Sequence, residues 1–101
     1  MKYVVGIAWY KDEATYRTAR AMFPDPKDMP AAYKDWQALV QRECEEIKGA
    51  GNTILRVDID PETFTDWCQA RGFLPDAQGR TAFVNQAELE YEKTGTGTVM
   101  E

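Results

Sequence analysis

Between residues 31 and 48, Tyr33, Trp36, Val40, Cys44 and Ile47 recur at intervals of three, four, four and three. That spacing is the period of an α-helix with one apolar face. It constrains the chain more than any other feature, because such a stripe has to be covered by other structure. Leu39 widens it, while Arg42, Glu43, Glu45 and Glu46 lie on the opposite side. Gly49 and Gly51 follow, in the manner of left-handed helix caps. TILRVDI comes next and alternates Leu55, Val57 and Ile59 against Arg56 and Asp58, which predicts a strand with one buried face.

The flanking segments extend this mixed pattern. YVVGIAWY (3–10) is rich in β-branched and aromatic residues and predicts a buried strand. Asp12 then suits an N-cap, Glu13 suits the positive end of a helix, and Tyr16, Ala19 and Phe23 mark one helical face. Pro24, Pro26 and Pro30 end that helix in a loop. After the second strand, Asp60-Pro61 fits a cap followed by the first helical position, with Phe64, Trp67 and Cys68 on one face and Gly72 closing the helix. Leu74-Pro75-Asp76 is a turn. A last helix over about 77–93 uses Ala82, Phe83, Ala87 and Tyr91, with Gly79 weakening its first turn.

The expected order is β-α-α-β-α-α, a mostly helical α+β fold with a two-stranded sheet. One globular domain should span 1–93, and the Thr/Gly-rich residues 94–101 should form a flexible tail. A run down one helix and back along another brings the second strand in antiparallel, but the proline loop is long enough to permit a parallel pair. Two strands alone are marginal. Either helices clamp both faces or a second copy extends the sheet edge.

Charge narrows the choice of partners. The 101 residues carry 12 Lys/Arg and 17 Asp/Glu, a formal net charge of −5, and the imbalance lies wholly in residues 51–101, with four cations against nine acids. With no cluster of Lys/Arg to hold phosphates, direct nucleic-acid binding is disfavoured. The apolar run that opens the chain is too short for a secretory signal, and no run suits a membrane span. Two cysteines make no disulfide framework, so the expected location is the cytoplasm, with thiols reduced.

Motifs of chemistry are missing. There is no histidine, which removes the usual general base, the common nucleophilic triads and most zinc sites. Asp58-x-Asp60-x-Glu62 superficially suggests a calcium loop, yet the sixth position is Thr63, the twelfth is Gln69 and Pro61 stands fourth. Gly49-Ala50-Gly51 runs from helix to strand, the reverse of a dinucleotide fingerprint. Cys68 falls inside a helix rather than at its N-terminus, so a small buried hydrophobe is the expectation, and the sequence leaves its reactivity open. No catalytic residue, metal or cofactor is assigned.

GIAWY, a proline-containing loop ahead of a Trp-bearing helix, RVDIDPETFTDWC, a following Arg-Gly, and the R-x-x-F-x-N of Arg80 to Asn85 resemble a small group of uncharacterised bacterial proteins. The resemblance implies a bacterial cytosolic source and carries no activity or site residue with it. The expectation is therefore a non-enzymatic binding domain acting on a protein partner or as a homodimer. The alternative is a small-molecule-binding or catalytic domain with a cleft near the strand ends. Candidate contact residues are Trp9 and Tyr10 where the first strand ends, Asp58 beside them if the strands are parallel, Trp67, and the arginines Arg71 and Arg80.

Overall fold

The computed structural model describes residues 3–24 and 29–100, so the middle of the proline loop, Pro26 included, lies outside the described residues. The elements are β1 (Val4–Trp9), α1 (Glu13–Met22), α2 (Tyr33–Gly49), β2 (Thr53–Asp58), α3 (Pro61–Ala70), α4 (Ala77–Thr94) and β3 (Thr98–Met100). The fold is α+β and mostly helical. The sheet differs from the sequence expectation, because it has three strands in the order β1-β2-β3 rather than two.

The third strand comes from the tail. Thr98–Met100 pairs antiparallel with β2, placing Met100 opposite Ile54 and Val99 opposite Leu55. Three residues are too few to show a period-two pattern, so the strand is formed by what it pairs with rather than by its own propensity. Gly95 at φ 75° caps α4, and Gly97 at φ 150° lets the chain turn back past Leu55 and Tyr91. A Cβ at Gly97 would lie 2.7 Å from the Leu55 side chain.

β1 and β2 are parallel, with Val4 opposite Thr53 and Trp9 opposite Asp58. β2 is thus the central strand. This explains a second departure from expectation: Ile54 is as buried as Leu55, so the start of β2 is covered on both faces. α2 lies over one face, with the Trp36 ring edge-on to Trp9 at 5.3 Å. α4 lies over the other, closely enough that a Cβ at Gly6 would fall 2.5 Å from Val84 Cγ1.

Local sequence signals set the helix ends. Asp12, Asp60 and Asp76 accept the free N–H groups of Thr15 (2.7 Å), Glu62 and Thr63 (3.1 and 3.2 Å) and Gly79 (3.0 Å). α2 ends as its glycines suggested, except that Gly49 is still helical and Gly51, at φ 86°, takes the left-handed position. Gly72, at φ 77°, follows α3 as expected.

α1 packs between α2 and α3 and buries Tyr16, Ala19 and Phe23. Two groups of rings result. Trp9, Tyr10, Tyr16, Tyr33 and Trp36 meet near the C-terminal end of β1. Phe23, Phe64, Trp67, Phe73 and Phe83 join α1, α3 and α4. Leu39, expected to broaden the α2 stripe, is 43% exposed. Gly79, expected only to weaken α4, is buried where the helix start meets the Leu74 carbonyl and the Cys68 sulfur. No helix of the described residues is long and apolar enough to cross a membrane.

Candidate functional site

The six residues singled out from the sequence fall in different places. Trp9 is half-buried against Trp36, and its register partner is Asp58, so parallel pairing brings those two together. Tyr10 turns inward and is only 3% exposed, wedged edge-on against Tyr16 and Trp36, while its carbonyl accepts the Tyr33 hydroxyl at 2.7 Å. Tyr10 is a core residue. Trp67 belongs to the second ring group: it stacks on Phe73, meets Phe83 edge-on and carries the Arg71 guanidinium 4.5 Å above its ring. Arg80 lies over Phe23 at 5.3 Å and reaches the open side of β1.

A cleft of about 350 Å³ does form at the C-terminal ends of the parallel strands, lined by Lys11, Thr15, Arg56, Asp58, Asp60 and Pro61. Its charges largely answer one another. Arg56 donates through one terminal nitrogen to Asp58 Oδ2 at 3.3 Å, and its buried Nε lies 3.3 Å from Oδ1 without hydrogen-bond geometry. Asp60 is occupied in capping α3. The Asp58-x-Asp60-x-Glu62 rhythm therefore separates into an ion pair, a cap and a first-turn glutamate.

The cysteines are quiet. Cys68 is fully buried and Cys44 nearly so, and burial pushes both thiols above their ordinary pKa, which disfavours the nucleophilic thiolate. Burial likewise raises Tyr16, whose hydroxyl donates to the Pro30 carbonyl at 2.6 Å.

Sequence reasoning allowed for an open sheet edge but did not say which; in the described sheet β1 is one such edge. The carbonyls of Tyr3 and Trp9 accept from Thr53 and Ile59, so odd-numbered residues of this segment address β2. In an extended strand the alternate residues then turn their N–H and C=O groups the other way. Val4, Gly6 and Ala8 thus face an edge that no strand of the described residues covers. At Gly6 a side chain stands in for a strand: the amide donates to Glu88 Oε2 at 2.9 Å.

Two hollows flank this edge and share Gly6 and Ala8. On the α2 side, about 240 Å³ is bounded by Ile7, Met29, Pro30, Leu39, Glu43 and Arg80. On the α4 side, about 400 Å³ is bounded by Arg80, Thr81, Val84, Asn85 and Glu88. The absent side chain at Gly6 lets Val84 and Glu88 of α4 come close to β1. A glycine inside a strand-like run was the available signal, since it marks a bulge or a close approach of backbone. Leu39, Glu43 and Glu88 had none, because their role depends on which edge remains free.

Compared with known protein families, characterised proteins and solved structures, the chain matches none.

Proposed function

We propose that the protein is a non-enzymatic binding domain that takes an extended segment of another polypeptide along the free edge of β1. The observation that carries this reading is the Gly6 amide, held by the Glu88 carboxylate where the carbonyl of an added strand would sit. Displacing Glu88 would leave a row of outward N–H and C=O groups with helices on either face, and such edges are templates for pairing.

A thin segment suits this edge better than a second copy. α4 packs chiefly on β1 rather than β2. Paired strands lie about 4.8 Å apart, whereas packed helices need about 8–10 Å. Symmetric pairing of two β1 edges would force two α4 helices towards one place.

Photo-crosslinking in the cells that make the protein tests the proposal, with benzoylphenylalanine replacing the exposed Leu39. The expected result is a discrete polypeptide adduct that disappears when Ala8→Pro is added. Proline is tolerated on an edge strand where its missing N–H faces outward, so that change blocks pairing while keeping the fold. No polypeptide adduct, or one indifferent to Ala8→Pro, would refute the reading.

A second reading rests on the cleft at the strand ends, the position at which open parallel sheets commonly hold ligands. A small molecule there would lie beside Trp9, so a metabolite panel that shifts tryptophan fluorescence supports it. An unchanged spectrum across the panel counts against it.

A further inference from the structure

The two hollows beside β1 differ in their walls, but each is lined by Gly6 and by a carboxylate. Glu43 stands on the α2 side and Glu88 on the α4 side, and both hollows include Gly6. Successive side chains of an extended strand point to opposite faces of a sheet. A strand laid along β1 therefore presents one side chain to Glu43 and its immediate neighbour to Glu88.

Resting on the edge-pairing reading, we infer that the segment this edge accepts carries two adjacent basic residues at the position opposite Gly6. The backbone carbonyl of the segment takes over the Gly6 amide. The released Glu88 carboxylate then pairs with one cation, and Glu43 pairs with the other. Leu39 and Ile7, on the α2 side, offer an apolar contact to a residue two places along from the cation at Glu43. The sequence contains no two adjacent Lys or Arg residues, so a second copy of it does not supply this segment.

The test uses three synthetic octapeptides of alternating valine and threonine, with Lys-Lys, Ser-Ser or Glu-Glu at the centre. Binding is followed by two-dimensional NMR of the Gly6 and Ala8 amides in the intact chain. The expected result is that Lys-Lys binds about 10-fold more tightly than Ser-Ser, with Glu-Glu weakest. The advantage should shrink in 0.5 M salt and in both Glu43→Gln and Glu88→Gln. Glu88→Gln keeps an oxygen acceptor for the Gly6 amide, and Glu43 is exposed on α2, so neither change threatens the fold. Equal binding of Lys-Lys and Ser-Ser at the β1 edge would overturn the basic preference and leave edge pairing standing. A lack of response at Gly6 and Ala8 to every peptide would overturn both.

Discussion

Replacing Gly79 with alanine sets two effects of opposite sign against each other. Helix propensity alone favours the change, by up to about 1 kcal/mol for a glycine inside a helix. Packing opposes it, because the new Cβ would overlap the Leu74 carbonyl oxygen and sit 3.1 Å from Cys68 Sγ. The first of these is a backbone atom at the turn between α3 and α4, which cannot rotate aside. Overpacking of one methyl typically costs about 1–3 kcal/mol, and an unyielding neighbour puts this site at the upper end. Moving the helix start would also loosen the Asp76 cap, which bonds the Gly79 amide itself. The expected net loss is about 2 kcal/mol, or about 10 °C in Tm for a domain of this size. Urea unfolding followed by tryptophan fluorescence measures it, with an unchanged m value marking a true loss of stability. Gly49→Ala supplies the control: that helical glycine has nothing within 4 Å of the added carbon, so the same substitution should raise stability by about 0.5–1 kcal/mol. If Gly79→Ala also stabilised the protein, the tight seating of α4 against Leu74 and Cys68 would be refuted.

Other consequences are as direct. Asp60→Ala removes the acceptor for the Glu62 and Thr63 amides and should cost about 1 kcal/mol by the same unfolding assay. Native protein should resist a neutral-pH thiol reagent at both Cys44 and Cys68, with two thiols appearing on denaturation; fast labelling of Cys68 in the folded state would contradict its burial. Asp12 is held below its ordinary pKa of 3.8, chiefly by hydrogen bonding to Thr15. Its cap therefore contributes stability above that value and loses it as pH falls through the lowered one, so Asp12→Asn should flatten the acid limb of the stability profile. An unaltered limb would remove Asp12 from that account.

Several parts of the architecture could be read from residue order because the signals are local. The α2 stripe of Trp36, Val40 and Cys44, the caps Asp12 and Asp60 and the run from Tyr16 to Phe23 each depend on residues within a turn or two. Strand number depended on something else. Val99 and Met100 become a strand only because β2 offers them an edge after Gly95 and Gly97 reverse the chain, and a three-residue segment carries no period of its own. The same non-local dependence hid the candidate site. Tyr10 read as a candidate contact residue at the strand end, yet Tyr16 and Trp36 pack against its ring and the Tyr33 hydroxyl donates to its carbonyl. Nothing near Glu88 in the sequence singles it out. Its importance appears only when α4 is laid across β1, 82 residues away in sequence.

Amide hydrogen exchange of the protein alone, and bound to any polypeptide that copurifies with it from its cells, tests the proposed edge pairing. The outward amides of Gly6 and Ala8 should exchange slowly in the complex and faster in the free protein, with Ala8 changing most because no side chain among the described residues holds its N–H. Unchanged exchange along β1, with new protection at the exposed Phe73 and Leu74 turn instead, would place the partner elsewhere and contradict the account.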